Sequence, residues 1–216
     1  IASCLVGSEM CIRDRQSLEY QADADCEEAL RQAFIGANNA ILEERRKHSE
    51  YDEMACVATA LLAVPSHSLA YIAHVGDTRC YLLHQGQLKK LSHDHSPIGL
   101  YEERGILSEE QAMEHPMRNI VDRCLGANWV EENAADFVEL ARFEMLPNSK
   151  WLLCSDGLTD MLKTDQIRHM LEKDAHPSEL VADLIDAANE AGGKDNVTAV
   201  VIQIAPSKES ELNEAE

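Results

Sequence analysis

Three aspartates stand where apolar segments stop. Asp156 follows Trp151-Leu152-Leu153-Cys154-Ser155 and is followed by Gly157; Asp195 sits in Gly192-Gly193-Lys194-Asp195-Asn196 before the run VTAVVIQI; Asp77 lies in Gly76-Asp77-Thr78 after an apolar stretch. An acid at the end of a buried strand faces a mouth rather than a core, and a glycine beside it lets the backbone turn and a ligand approach closely. Carboxylates are hard oxygen donors, suited to Mg²⁺ or Mn²⁺ rather than to zinc or copper. Asp156 and Asp195 are therefore expected to meet on a divalent cation. Two such ions about 3.5–4 Å apart would activate a shared water for in-line attack on phosphorus, with no nucleophilic side chain needed. Asp77 alone reads equally well as a turn residue bonded to its own backbone.

The elements that must position these acids follow from hydrophobic periodicity. Asp23 to Lys47 reads as a long helix, with Cys26, Leu30, Ala33, Phe34, Ala37, Ile41 and Leu42 on one stripe and a basic last turn that suits the helix dipole. Met54–Ala63, Ser68–Val75, Cys80–His84 and Gln87–Leu91 read as successive strands separated by turn residues, an antiparallel meander. Strands are also expected at Phe137–Phe143, Trp151–Cys154 and Asn196–Ile204, and helices at Asp165–Glu172 and Glu179–Glu190. Between them lies an insertion, Ile98–Asn119, poor in large apolar residues, in which Ser108-Glu109-Glu110-Gln111 forms a capping box; it is expected to lie over the surface and to move more than the strands. Strands in the middle with helices flanking them give an α+β fold class. In Ser92-His93-Asp94-His95-Ser96, the His-x-His spacing invites a metal, but no further ligands at zinc-like spacing are evident and a hydrogen-bonded turn is the better reading.

Bulk properties narrow the function. The 216-residue chain carries 39 acidic and 19 basic residues, a net charge of −20, which argues against nucleic acid and anionic membranes as partners. Its seven cysteines are odd in number, contain no C-x-x-C and mostly lie in apolar segments, so a reducing, cytoplasmic setting is expected. No apolar run approaches the roughly 18 residues of a membrane span. Residues 1–15, IASCLVGSEMCIRDR, have no clean period and resemble a translated sequencing adapter; they are expected to be non-native or disordered, with an incomplete domain over 16–205 and an acidic disordered tail over 206–216. A serine hydrolase or a cysteine phosphatase is disfavoured, because neither G-x-S-x-G nor a C-x5-R loop occurs.

Gly76–Arg79 (GDTR), Leu91–Ser96 (LSHDHS), His115–Asn119 (HPMRN), Cys154–Leu162 (CSDGLTDML) and Gly192–Val201 (GGKDNVTAVV) occur in this order, and together they resemble the bacterial form of the PP2C family of metal-dependent serine/threonine protein phosphatases. The resemblance covers roughly Asp23 to Ile204. It implies a four-layer α-β-β-α sandwich, with its first strands missing here, and two or three Mn²⁺ or Mg²⁺ ions. By the same resemblance, Asp156 and Asp195 match acids of one ion, Asp77 matches the acid of a third, looser ion, and Ile98–Asn119 matches the flap. A phosphorylated protein as substrate, an opposing serine/threonine kinase and a monomeric state are expected on the same ground. The family's opening R-x-x-N-E-D and D-G-M-G-G-H segments, which supply a phosphate-binding arginine and further metal ligands, have no match; nor does its G-T-T, where Ala55-Cys56-Val57 stands. Catalytic and substrate-binding residues are thus left unassigned, and this polypeptide is expected to be nearly inactive. Two other readings stand beside it. A haloacid-dehalogenase-type phosphatase would need an acid where Leu158 stands. A non-catalytic, degenerate phosphatase domain acting as an interaction module would have no chemical need for three retained acids.

Overall fold

The computed structural model describes Ser3–Cys4 and residues 23–206. Most of the 1–15 segment, and residues 207–216 of the acidic tail, lie outside the described residues. Ser3–Cys4 (β1) pair with Leu61 and Ala60, at the edge of a sheet.

Two four-stranded antiparallel sheets form the body. The first has the order β1-β2-β3-β6, from Ala58–Val64 (β2), Leu69–Val75 (β3) and Glu139–Glu144 (β6). The second has the order β5-β4-β7-β8, from Gln87–Lys90 (β5), Arg79–His84 (β4), Lys150–Cys154 (β7) and Ala199–Gln203 (β8). The helices are Asp23–Lys47 (α1), Pro97–Glu103 (α2), Glu109–Met113 (α3), Asp156–Thr159 (α4), Thr164–Glu172 (α5) and Pro177–Glu190 (α6).

Strand alternation sorts the side chains into separate cores and so builds the layers. Ala58, Ala60 and Leu62 of β2 and Tyr71, Ala73 and Val75 of β3 pack with Cys26, Leu30, Phe34 and Ile35 of α1. Their neighbours Leu61, Ala70 and Ile72 turn the other way and meet Cys80, Trp151 and Leu153 of the second sheet. On that sheet's far side, Tyr81, Leu83, Leu152 and Cys154 pack with Ile167 and Leu171 of α5 and Leu184 and Ala188 of α6. The result is the α-β-β-α order of layers.

The expected single meander does not form. β2 and β3 pair with each other, and β4 and β5 pair with each other, but the chain changes sheets between Val75 and Arg79. The turn between them is one that only glycine fits: Gly76 adopts φ +116°, and a methyl group on its Cα would fall 2.2 Å from Val57 Cγ1. Here the backbone turns from one sheet into the other instead of closing a hairpin. Asp77 is thus at the joint between the sheets. The strand expected from Met54 begins only at Ala58, with Cys56 instead forming an isolated bridge to Leu125. The capping box of α3 forms as read, Ser108 Oγ accepting from Gln111 N and Gln111 Oε1 accepting from Ser108 N.

Candidate metal centre

Asp77 and Asp156 line one cleft, with Asp94, Asp160, Arg79 and Arg118. Asp156 is the first residue of α4, directly after β7. Its Oδ1 accepts from Gly157 N at 2.9 Å, which folds the carboxylate against the start of the helix. Asp195 repeats the device, accepting from Asn196 N at 2.7 Å, and stands exposed ahead of β8. The two acids are joined through their neighbours. Ser155 N donates to Thr198 O at 3.0 Å, and Thr198 N donates to Ser155 Oγ at 3.0 Å. β7 and β8 are adjacent in register up to Cys154 and Ala199, so both acids emerge at the same end of the same sheet.

The electrostatics of the cleft favour a cation. Burial, then the charge of Asp156, then that of Asp94, push Asp77 up to about 6. Asp156 is also raised, by burial first, then by Asp160 and by Asp195. Asp195 does not line the cleft itself, but it is close enough to repel the Asp156 carboxylate. Carboxylates that destabilise one another in this way are relieved by a divalent ion, and an all-oxygen set suits Mn²⁺ or Mg²⁺. The residues present therefore fit the ion that the sequence implies.

Several cleft residues received no role from the sequence. Arg79 forms a bifurcated ion pair with Asp94, at 2.6 Å for the shorter contact, with side chains 7% and 9% exposed. Burial alone would raise the Asp94 carboxyl, but Arg79 and Lys90 hold it below the usual carboxylate range. The network continues outward to the insertion: Tyr81 Oη donates to Glu109 at 2.7 Å and Lys90 pairs with Glu102 at 2.6 Å. Arg118 makes two bonds of 3.0 Å to Asp160. The Ile98–Asn119 insertion is thus tied to the second sheet at α2 and α3, and to α4 at its far end. The signal was available: Asp160 follows Asp156 by one helical turn, and Arg79, Asp94 and Arg118 all sit in the quoted motifs.

The histidines of Ser92–Ser96 make a hydrogen-bonded turn. His93 Nδ1 lies 2.9 Å from Glu139 Oε1, and His95 Nδ1 accepts from Gly76 N at 3.1 Å. Nitrogen and oxygen atoms of His74, His95 and Glu139 converge within 4.8 Å of one another. This trio does not offer a metal site, because both ring nitrogens of His74 are engaged: Nδ1 with Thr59 Oγ1 at 2.8 Å, Nε2 with the carbonyls of Gly76 and His93. Arg123 also places a cation 3.4 Å from His95 Nε2. No helix among the described residues is long and apolar enough to cross a membrane.

The protein phosphatase 2C family model matches residues 7–197. The serine/threonine phosphatase stp of Listeria welshimeri is 36% identical over 72% of this chain and 60% of its own length. That of Listeria monocytogenes is 32% identical over 92% of this chain and 78% of its own. The chain thus spans less than two thirds of the first of these relatives. The crystal structure of the catalytic domain of the serine/threonine protein phosphatase PstP in complex with two manganese ions superposes with a TM-score of 0.73, at 25% identity, over 94% of this chain and 86% of that one. The order of layers and these matches agree: the chain belongs to the protein phosphatase 2C family.

Proposed function

We propose that the whole protein hydrolyses phosphoserine and phosphothreonine in proteins by a metal-activated water. The observation that carries this reading is the convergence of Asp77 and Asp156 on one cleft, with Asp195 beside it: Asp156 repels Asp77 and Asp195 repels Asp156, a strain that a divalent ion would relieve. Asp156 and Asp195 would hold one Mn²⁺ or Mg²⁺, and Asp77 a further, looser ion. Such an ion, when bound, supplies an acidified water and charge neutralisation for the phosphoryl oxygens. The chain's own residues do the rest. Gly157 lets the two acid-bearing turns approach, the Arg79–Asp94 pair fixes the cleft floor, and the insertion shields one side of the cleft from water. Substrate would be a phosphorylated protein segment set by an opposing serine/threonine kinase, in the cytoplasm, with the enzyme acting as a monomer.

Dephosphorylation of a phosphothreonine peptide by the full-length gene product with Mn²⁺ tests this reading. Turnover that needs Mn²⁺ and is lost in Asp156→Asn supports it. A full-length product that neither binds Mn²⁺ nor releases phosphate refutes it in favour of a non-catalytic module. The 216-residue chain itself is expected to be nearly inactive, since the family's opening acids have no match in it; robust turnover by this chain would refute that part alone.

A further inference from the structure

His74 is fully buried in an otherwise apolar strand and takes no part in the cleft, yet it is bonded on every side. It faces Thr59 across β2 and β3, in direct register, and both side chains are 0% exposed. By alternation the two point into the space between the sheets, on the side of Leu61 and Ile72. Such a pair is costly to bury unless each polar atom is satisfied.

The bonds dictate where each proton sits. His74 Nε2 lies 2.9 Å from Gly76 O and 3.1 Å from His93 O. Both are acceptors only, so Nε2 carries the hydrogen. Burial lowers the His74 pKa to about 4, so the ring is neutral near pH 7 and Nδ1 is an acceptor. Thr59 Oγ1, at 2.8 Å, must donate to it. The one hydroxyl hydrogen of Thr59 is then used, and the 2.7 Å contact between Thr59 Oγ1 and Thr78 Oγ1 can only be donated by Thr78. The result is a directed chain from Thr78 through Thr59 and His74 to the carbonyl of Gly76. It grips the residue before Asp77 and the residue after it.

The turn needs such a grip. Asp77 faces the repelling carboxylates of Asp156 and Asp94, and a free turn would swing it out to water. Other bonds close the frame: Gly76 N donates to His95 Nδ1, and His95 N donates to Gly76 O at 2.7 Å. None of these bonds touches the Asp77 side chain, which is left for the cleft.

We propose that His74 is a positioning residue, acting through Thr59 and Thr78, that holds the Gly76–Thr78 turn so that the Asp77 carboxylate is presented to a cation in the cleft. The inference rests on the reading of Asp77 as a metal ligand. It assigns to the inter-sheet polar pair a role in the site rather than in the core alone.

The test uses the 216-residue chain and the variants His74→Phe, His74→Gln and Thr59→Val, with Asp77→Asn as reference. Free Mn²⁺ is followed by electron paramagnetic resonance. The order of the Gly76, Asp77 and Thr78 amides in the metal-free state is followed by ¹⁵N relaxation. Loss of a buried hydrogen bond is expected to weaken the Asp77-dependent Mn²⁺ affinity about tenfold in His74→Phe and several-fold in Thr59→Val. His74→Gln, which keeps a donor near the Nε2 position, should recover part of the loss. The three amides should lose order in His74→Phe and Thr59→Val while those of β3 keep theirs. Unchanged order of the turn in both variants overturns the proposal, as does unchanged Mn²⁺ affinity in both. If the parent chain binds Mn²⁺ no better than Asp77→Asn, the ligand reading of Asp77 falls, and the relaxation data still decide whether the clamp exists. Should His74→Phe fail to fold, Thr59→Val, close in volume to the native residue, carries both measurements.

Discussion

A methyl group added to the Cα of Gly157 would lie 2.3 Å from the carbonyl oxygen of Asn196. Gly157 follows Asp156 and Asn196 follows Asp195, so a close backbone approach at this end of the second sheet lies between the residues that flank the two acids. Gly157→Ala is expected to push the turns apart. The cost should be about 1–3 kcal/mol, as for other overpacked sites, read as a lower urea midpoint. Mn²⁺ affinity should fall with it. A variant of unchanged midpoint and unchanged affinity would show that the approach is not needed.

The Asp77 carboxyl, raised to about 6, makes metal-free stability depend on pH. In the unfolded chain the group titrates near its ordinary value of about 3.9. The folded state therefore holds the proton more tightly, and the stabilising contribution of the neutral acid is present at low pH and lost as pH rises from about 4 to about 6. The ionised carboxylate then costs at most about 3 kcal/mol. Asp77→Asn should raise the Tm of the metal-free chain at pH 7.5 and do little at pH 4. Mn²⁺ must displace the same proton, so affinity should weaken as pH drops below about 6. Parallel thermal scans of the two proteins across this range check both signs.

Arg79 and Asp94 are a buried ion pair. Removing Arg79 leaves the buried Asp94 carboxylate with only the longer, 3.4 Å contact of Lys90, so Arg79→Met is expected to cost about 3 kcal/mol. Arg79→Met with Asp94→Leu should recover much of that loss, because desolvation is then removed along with attraction. Urea denaturation of the two single variants and the double variant closes the cycle. Additive losses would contradict the pairing.

Arg118 and Asp160 are partly exposed, at 28% and 19%, and their bonds should contribute under about 1 kcal/mol to global stability. Their effect is local. Arg118→Ala should leave Tm nearly unchanged but speed amide exchange in residues 104–119, beyond the anchors of α2. Asp160→Asn should lower the Asp156 pKa, since Asp160 is the main charge raising it after burial. Carboxyl-carbon NMR titration reads the second effect directly.

Much of this was legible in the chain because periodicity is strong where one face is buried. The bounds of α1, the capping box at Ser108 and the acid-ended strand at Trp151–Cys154 are local signals, written within a few residues. The change of sheet at Gly76 was not legible. Two strands joined by a short turn read as a hairpin, and the close approach of Val57, 19 residues back in sequence, to Gly76 is a contact that the turn residues themselves do not announce. His74 was missed for a related reason. One histidine within an apolar run reads as a core residue, and its partners Thr59, Thr78 and His93 come from other strands and loops. Arg79, Asp94 and Arg118 lay inside the quoted motifs, but their pairings link segments that nothing in the sequence brings together.

Because the backbone passes from one sheet to the other at Asp77, and Asp156 ends a strand of the second sheet in the same cleft, the neighbouring ions proposed for Asp77 and for Asp156 would together act as a rivet through both leaves of the sandwich. Shearing the leaves would then require breaking coordination bonds, and stripping the metal would loosen their registry before it unwound any strand. Chelation should therefore be felt first as slippage between layers, with the helices on either outer face still in place.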